Sequence, residues 1–202
     1  MAIDERLLVA ADRTGAAFLR LYRWDPPCLS LGRHEPVIER PGTAVVRRPT
    51  GGRAVWHEHE VTYAVAAPIA AFGRLRNAYR AIHERLAAAL RSLGADVRLA
   101  GDRPTVRLSD RPTSCFATTV GGEVLVAGRK VIGSAQVRRG DAFLQHGSIL
   151  LDGTQDMGNA TTLRQVLGRT VTFDDVTAAI VAAWSEPLTP SDGADLAQVA
   201  VA

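Results

Sequence analysis

Lys130 is the only lysine in the chain, whereas Lys and Arg together number 24, so arginine supplies every other basic side chain. An ammonium is compact, and burial lowers its pKa readily, which is not true of a guanidinium. Lys130 lies in a short segment between Gly128 and Gly133, a pattern typical of a strand edge or turn where backbone approaches a ligand closely. We therefore expect Lys130 to belong to a functional site, where perturbable ionisable groups concentrate. The alternative is an ordinary surface lysine in an arginine-rich chain.

The two cysteines lie in different surroundings and do not suggest a disulfide framework. Cys28 lies in an apolar segment, where a buried thiol behaves as a small, inert hydrophobic side chain. Cys115 lies in the polar segment 104–119, which we predict to be a loop. A nearby cation would lower the pKa of the Cys115 thiol and make it a nucleophile, and Lys130 is the candidate cation. An unreactive loop cysteine is the competing interpretation.

Two histidine-containing segments remain ambiguous. The segment His57-Glu58-His59-Glu60 lacks the His-Glu-x-x-His spacing of zinc enzymes. On a strand its two imidazoles would share a face without an evident third ligand, so we predict no metal site. His146 suits either a general base or a satisfied core position, and spacing does not decide between them. The absence of a Gly-x-Ser-x-Gly elbow argues against a serine hydrolase.

Segment 47–53 reads as a strand that runs into a turn at Gly51 and Gly52. Two consecutive glycines allow backbone amides to close over an anion or a carbonyl oxygen. The segment is not a phosphate-binding P-loop, because no Gly-Lys-Ser/Thr follows. A plain hairpin turn is the alternative.

Length and composition predict one globular domain. The 202 residues fit one domain, which we place at 1–186, followed by a C-terminal tail at 187–202 that we expect to be flexible. The N-terminus has no signal-peptide pattern and no apolar run reaches membrane-spanning length, so we expect a cytoplasmic protein without a membrane partner. The net charge of +3 with only 5% aromatic residues argues against nucleic-acid binding and favours an acidic protein or anionic small molecule.

The periodicity predicts a mainly antiparallel sheet flanked by helices, an α+β arrangement. Segment 77–93 is the clearest helix, because its apolar residues form one stripe and Gly94 follows as a natural C′ residue. Thr172 and Asp175 form a capping-box pattern at the start of another helix. The predicted helices are 3–11, 77–93, 162–167 and 172–184, and the predicted strands are 17–24, 28–32, 45–48, 61–66, 123–127, 130–134 and 143–151.

Five stretches, in the same order along the chain, resemble the lipoate–protein ligase and octanoyltransferase family. They are residues 1–5, 29–33, 47–57, 128–136 and 145–151, within a resemblance that covers most of residues 1 to about 170. The resemblance implies an antiparallel-rich sheet flanked by helices, related to that of biotin ligases.

This family has two chemistries, and three departures favour one of them. The ligases adenylate lipoate with ATP and carry a third glycine where this chain has Arg53. The chain also lacks the ligases' His-Asp-x-Gly-Asn element, since 58–63 reads Glu-His-Glu-Val-Thr-Tyr. Residues 114–116, Ser-Cys-Phe, resemble the nucleophile segment of the cysteine-dependent octanoyltransferases, which need no cofactor.

The resemblance therefore implies that Cys115 takes an octanoyl group from acyl carrier protein as a thioester. A lysine of a lipoyl domain or of glycine-cleavage H protein then accepts it as an amide, and Lys130 holds the acyl carbonyl. An ATP-dependent ligase and an inactive module that only binds lipoyl domains are the alternatives. The substrate-binding residues that the resemblance implies are Arg48, Thr50, Gly51, Gly52, Arg53, His57, Gly133, Ser134, His146 and Gly147.

Overall fold

A computed structural model of the chain describes residues 1–38, 40–101, 121–153 and 160–184, and the backbone of two further strands. The helices are α1 (Ala2–Thr14), α2 (Leu75–Ser92), α3 (Leu163–Leu167) and α4 (Phe173–Ala183), and Ile69–Phe72 forms a 3-10 turn. The strands are β1 (Ala17–Tyr22), β2 (Cys28–Leu31), β3 (Ala44–Arg47), β4 (Val55–His57), β5 (Glu60–Pro68), β6 (Val97–Leu99), β7 (Val124–Val126), β8 (Arg129–Lys130), β9 (Ile132–Arg139), β10 (Ala142–Leu150), β11 (Leu188–Pro190) and β12 (Leu196–Val199).

Six strands form the main sheet in the order β11-β12-β1-β5-β10-β9, and each neighbouring pair is antiparallel. The two longest strands, β5 and β10, lie next to each other at its centre and are buried along almost their whole length. Helices cover both faces, so the predicted α+β fold with a mainly antiparallel sheet is confirmed.

Side chains of β5 pack on both faces of the sheet, because successive side chains of a strand point in opposite directions. Ala64 and Ala66 pack in a cluster with α1, whose buried residues include Leu7. Tyr63 and Val65 pack in the larger cluster with α2 and α4. Apolar side chains therefore follow one another along β5 without the polar alternation of a half-exposed strand.

The helices form where local sequence signals predict them. In α2 the stripe residues Ile82, Leu86 and Leu90 are fully buried. At the start of α4, Thr172 and Asp175 each accept a hydrogen bond from the other's backbone N–H, which confirms the capping box. Gly94 has a φ of +100°, as a residue just after a helix end requires.

Two small three-stranded sheets complete the described fold, in the orders β3-β2-β4 and β6-β7-β8. The prediction of one strand over 130–134 is wrong, because β8 ends at Lys130 in the second small sheet and β9 begins at Ile132 in the main sheet. Val131 joins them: its N–H donates to Val124 in β7 and its carbonyl accepts from Leu150 in β10. The consecutive β-branched residues Val131 and Ile132 do not indicate in the sequence that the chain changes sheet here.

Other predicted boundaries hold to within a few residues. Strand β4 was not predicted, although it pairs with β2 in antiparallel register. Both β11 and β12 lie in the segment predicted as a C-terminal tail, and β12 pairs with β1. The predicted loop 104–119 lies outside the described residues.

Of the helices in the described part of the chain, none combines the length and the apolar character that crossing a bilayer would require.

A close backbone contact explains why glycine occupies position 32. A Cβ atom added at Gly32 would lie 1.8 Å from the carbonyl oxygen of Gly52, so the turn at 51–52 could not keep its place over β2. We expect Gly32→Ala to lower the free energy of unfolding by about 1–3 kcal/mol, measured by urea denaturation. The matched control is Gly51→Ala, where a Cβ meets no atom within 4 Å. Equal effects of the two substitutions would contradict this reading of the turn.

Candidate functional site

A pocket opens on the face of the main sheet that α1 covers, beside the strands β4, β5, β9 and β10. Its cavity volume is about 40 Å³, it opens partly to solvent, and its accessible lining atoms are mostly apolar. The lining residues are Met1, Arg48, Val55, His57, Thr62, Gly133, Ser134, Ala135, His146, Gly147 and Ser148.

Six of the predicted substrate-binding residues therefore meet at one pocket, although they come from four separate parts of the sequence. They are Arg48, His57, Gly133, Ser134, His146 and Gly147. Thr50 lies behind them, fully buried, in contact with His146. Gly147 has to be small, because an added Cβ would lie 2.3 Å from the Gly133 carbonyl oxygen of the neighbouring strand.

A chain of buried hydrogen bonds supports one side of the pocket. Ser30 Oγ lies 2.6 Å from His57 Nε2, and His57 Nδ1 lies 2.7 Å from Glu60 Oε1. Arg48 Nη1 donates to Ser30 Oγ at 2.7 Å. Because a guanidinium can only donate, Ser30 Oγ accepts from Arg48, and the Glu60 carboxylate accepts from His57 Nδ1–H.

These contacts have the order of a Ser-His-Glu triad, but Ser30 is not placed to act as a nucleophile. Its side chain is fully buried and does not line the pocket. Its oxygen also accepts a charge-assisted hydrogen bond from Arg48, which reduces the availability of its lone pairs. These hydrogen bonds instead fix the Arg48 guanidinium at the pocket wall.

Arg48 in turn holds the turn that follows it. Its guanidinium donates to the carbonyl oxygens of Ser30, Gly51 and Arg53 at 2.9, 3.2 and 2.7 Å. The expectation that Gly51 and Gly52 line the acyl pocket does not match this geometry. Gly51, Gly52 and Arg53 line a separate surface depression, together with His34 and Glu35.

A second buried chain supports the pocket from below. Asp4 accepts hydrogen bonds from Arg20 Nη1 at 2.8 Å and from Tyr22 Oη at 2.9 Å, and its Oδ2 lies 3.4 Å from His146 Nδ1. Burial raises the pKa of Asp4, but His146 and Arg20 outweigh it, so the net shift is downward and Asp4 is ionised. Burial lowers the pKa of His146, which is therefore neutral and accepts at Nε2 from Thr50 Oγ1, 2.7 Å away.

A third polar chain lies on the other face of the sheet and reaches the pocket at Ser134. Ser134 Oγ lies 2.6 Å from Tyr63 Oη and 2.8 Å from His83 Nε2. His83 Nδ1 lies 2.7 Å from the Gly122 carbonyl oxygen, so Nδ1 carries the proton and Nε2 accepts from Ser134. Burial lowers the pKa of His83 to about 4, and Lys130 adds to this shift. His83 is thus a fixed neutral acceptor near pH 7.

Lys130 forms a buried ion pair. Its Nζ lies 2.7 Å from Glu123 Oε1, and the two side chains are 2% and 4% exposed. Glu123 follows Gly122, so this pair adjoins the His83 chain. Lys130 does not itself line the pocket, although Gly133 and Ser134 a few residues later do. The expected functional lysine is therefore a buried, paired cation rather than a solvated surface group.

The structure tests the prediction for only one of the two cysteines. Cys28 is 2% exposed in β2, and burial raises the pKa of its thiol, which confirms the expectation of a buried and inert cysteine. Cys115, the predicted nucleophile, lies outside the described residues, so its role stays a prediction.

The prediction that His57 and His59 share one face of a strand is wrong. His57 ends β4 and is buried, whereas the His59 side chain is 59% exposed in the turn before β5. A bend at residues 58–59, where the chain passes from one sheet to another, separates the two imidazoles, and a strand pattern alone does not reveal it. Among the described residues, no group of three or more His, Cys, Asp and Glu side chains could hold a metal ion.

Several residues of these hydrogen-bond networks were not predicted from the sequence: Ser30, Glu60, Tyr63, His83 and Glu123. Asp4 lies in the first family-like stretch, but nothing local shows that it is fully buried. One usable signal is a charged residue inside an apolar pattern, as at Glu60 at the start of β5 and Asp4 in α1, because buried charges need partners.

Comparisons with known proteins show the family of the chain. Residues 1–159 match the model of the lipoyl protein ligase A/B catalytic domain. The chain belongs to this family. The chain is 44% identical over 163 residues to octanoyltransferase LipM of Carboxydothermus hydrogenoformans, a match that covers 75% of this chain and 60% of that protein.

Solved structures show the same fold. A lipoate-protein ligase A bound with ATP superposes with a TM-score of 0.72 at 21% identity, over 91% of this chain and 77% of that chain. A bi-partite lipoate protein ligase, described with its E2 lipoyl domain from Thermoplasma acidophilum, gives 0.63 at 20% identity, over 91% and 76%. The chain spans about 60% of the length of the first curated relatives that it matches.

The two neutral histidines of this ligase-family domain should make its stability depend on pH. Below the ordinary value of 6.5 an unfolded histidine binds a proton, whereas His83 stays neutral in the fold down to about pH 4, and the pKa of His146 is also lowered. The free energy of unfolding should therefore fall as pH drops from about 6.5 toward 4, by up to about 1.4 kcal/mol per pH unit for each histidine.

Chemical denaturation across this pH range tests the expectation. His83→Gln should reduce the slope by the contribution of one proton. The control is His34→Gln, because His34 is exposed and should leave the slope unchanged. A slope unaltered by His83→Gln would contradict the assignment of His83 as a neutral buried group.

Removal of Glu123 should destabilise the fold far more than removal of an exposed carboxylate. Glu123→Gln leaves Lys130 without its buried carboxylate, and we expect a loss of about 3–5 kcal/mol in the free energy of unfolding. Glu84→Gln breaks a pair with Arg80 at 3.0 Å in which both side chains are more than half exposed, and it should cost no more than about 1 kcal/mol. Urea denaturation of both variants measures the difference, and comparable losses would show that the Lys130–Glu123 pair is not tightly held.

Proposed function

We propose that the protein is an octanoyltransferase of lipoate biosynthesis. It moves an octanoyl group from acyl carrier protein to a lysine of a lipoyl domain or of glycine-cleavage H protein. Cys115 carries the group between the two half-reactions as a thioester, and no ATP is consumed.

The observation that carries the proposal is a pocket with a mostly apolar accessible lining, bounded by Arg48 and by Gly133 and Ser134, which follow Lys130 in the sequence. A saturated acyl chain has no polar group along its length, so a mostly apolar lining suits it better than a nucleotide. The identity of 44% to an octanoyltransferase supports the same reaction. The lipoyl domain named with the Thermoplasma ligase supports the class of acceptor.

The reaction consists of two acyl transfers. In the first, the Cys115 thiolate attacks the thioester carbonyl of the donor and the carrier thiol leaves. In the second, the neutral amine of the acceptor lysine attacks the Cys115 thioester, the thiolate leaves, and the amine loses a proton as the amide forms. Each step passes through an oxyanion, which a fixed positive charge stabilises.

In the proposed mechanism that charge comes from Lys130, which is buried against Glu123 and reaches the reacting carbonyl from behind the lining residues Gly133 and Ser134. Its pairing with Glu123 in a buried site keeps an ammonium compatible with burial, because the carboxylate compensates for lost hydration. Arg48, held by Ser30, keeps the adjoining wall in place.

Intact-mass analysis tests the proposal directly. After incubation with octanoyl–acyl carrier protein and no ATP, the wild-type protein should gain the mass of one octanoyl group, and Cys115→Ala should not. Addition of a lipoyl domain should discharge the adduct to the domain. A strict requirement for ATP and free acid would indicate a ligase instead, and binding of the lipoyl domain without acyl transfer would indicate a non-catalytic module.

Lys130→Arg tests the role of the ammonium separately. The substitution keeps the positive charge but places a larger planar fork in a fully packed site, so we expect transfer to fall by at least roughly a hundredfold. Circular dichroism and a melting curve verify that the variant folds. Transfer at the wild-type rate would remove Lys130 from the mechanism.

A further inference from the structure

An arginine-lined surface adjoins the pocket. An open groove beside it is lined by four exposed arginines, Arg33, Arg47, Arg138 and Arg139, and by the buried Arg48. A second groove along α1 continues from Arg139 to the exposed side chains of Arg6 and Arg13. We call these six exposed arginines, with Arg48, the arginine surface.

Most of the positive charge on this surface is not compensated by carboxylates. Within the described part of the chain, Arg47 donates only to backbone carbonyl oxygens, those of Gly32, Arg33 and Glu35, which leave its charge uncompensated. Among the described residues, Arg33 and Arg139 have no carboxylate within ion-pair distance.

Three acidic side chains oppose this charge: Asp141, Glu5 and Asp12, which accepts a hydrogen bond from the Asp141 N–H. Arg138 lies 3.7 Å from the exposed Asp141. Glu5 is the one acidic residue among the described lining residues of the two grooves. The surface therefore keeps an excess of positive charge.

Arg48 joins the surface to the pocket, because it lines both the first groove and the pocket. A partner that lies on the arginine surface is thus placed at the edge of the acyl site. The overall net charge is only +3, so the clustering of six arginines on one side is a local feature rather than a general basic character.

We propose that the arginine surface is the docking site of the acidic carrier protein that delivers the acyl group. The proposal rests on the proposed function, and it adds the place where the donor binds. Acidic side chains of the carrier lie against the exposed arginines, and its acyl arm enters the pocket past Arg48.

The chemistry of the two substrates favours the donor over the acceptor at this surface. The acceptor presents a lysine, and its ammonium is repelled by a row of guanidinium groups. The donor is an acidic protein whose arm carries a phosphate group, for which guanidinium is the preferred protein partner. Complementary charge of this kind acts chiefly on the rate of association.

The test compares two thioester donors in the complete protein, octanoyl–acyl carrier protein and octanoyl-pantetheine, which has no protein and no phosphate. Arg139→Glu and Arg6→Glu should each lower kcat/KM for the carrier protein on the order of tenfold. They should leave kcat/KM for octanoyl-pantetheine within about twofold, because neither residue lines the pocket. The wild-type rate with the carrier protein should also fall as salt concentration rises.

Arg169→Glu is the matched control, with the same change of charge at an exposed position between α3 and α4. It should behave as the wild type with both donors, and melting curves verify that all three variants fold. Equal losses with both donors, no loss with either, or a changed KM for the lipoyl domain alone would each overturn the docking proposal.

A direct binding titration separates this proposal from the proposed function. If the wild-type protein transfers octanoyl from neither donor, the proposed function has failed. Binding of the carrier protein that Arg139→Glu weakens and Arg169→Glu does not would then still support the surface. An absence of binding, or tighter binding of a single-stranded oligonucleotide than of the carrier protein, would overturn it.

Discussion

Ionised groups buried around an apolar pocket are the constraint on which this structure depends. Isolated charges in such surroundings would cost several kcal/mol each, so every one requires a partner that is itself well placed. Asp4 has Arg20, Lys130 has Glu123, and Arg48 has carbonyl and hydroxyl oxygens. These pairings join segments that are far apart in the sequence, and they leave the pocket wall little freedom to move.

The two central strands allow the site to be both polar and rigid. β5 and β10 contribute apolar side chains to clusters on both faces of the sheet, and near one end they contribute Glu60, Thr62, His146 and Ser148. Ser148 and Thr62 donate to Glu60 Oε1, and Trp24 stacks on His57 at 4.7 Å. The same strand pair therefore supplies the core and the floor of the pocket, so their positions are not independent.

The charge distribution divides the molecule into parts that complement one another in the proposed acyl transfer. The pocket offers apolar surface to a fatty chain, while the neutral histidines beneath it add no charge. Positive charge is concentrated instead at Lys130, within the fold, and on the arginine surface, outside it. In the proposed reaction Lys130 stabilises the oxyanion, and the arginine surface raises the rate at which the donor associates.

The sequence alone determined the elements whose signals are local. The apolar stripe of α2, the capping box of α4 and the family-like stretches were readable because each depends on residues within a few turns of one another. The unusual status of Lys130 was equally visible, since it is the chain's single lysine. Cys115, outside the described residues, rests on sequence alone.

Only the tertiary structure decided which side chains meet. Asp4 and His146 are 142 residues apart, and Tyr63 and Ser134 are 71 apart, so no periodic pattern relates them. The change of sheet at Val131 and the separation of His57 from His59 also depend on strand pairing, which brings together residues from distant segments. Local sequence fixes the preference of a segment for helix or strand, whereas the partners of a buried polar group follow from the packing of the whole chain.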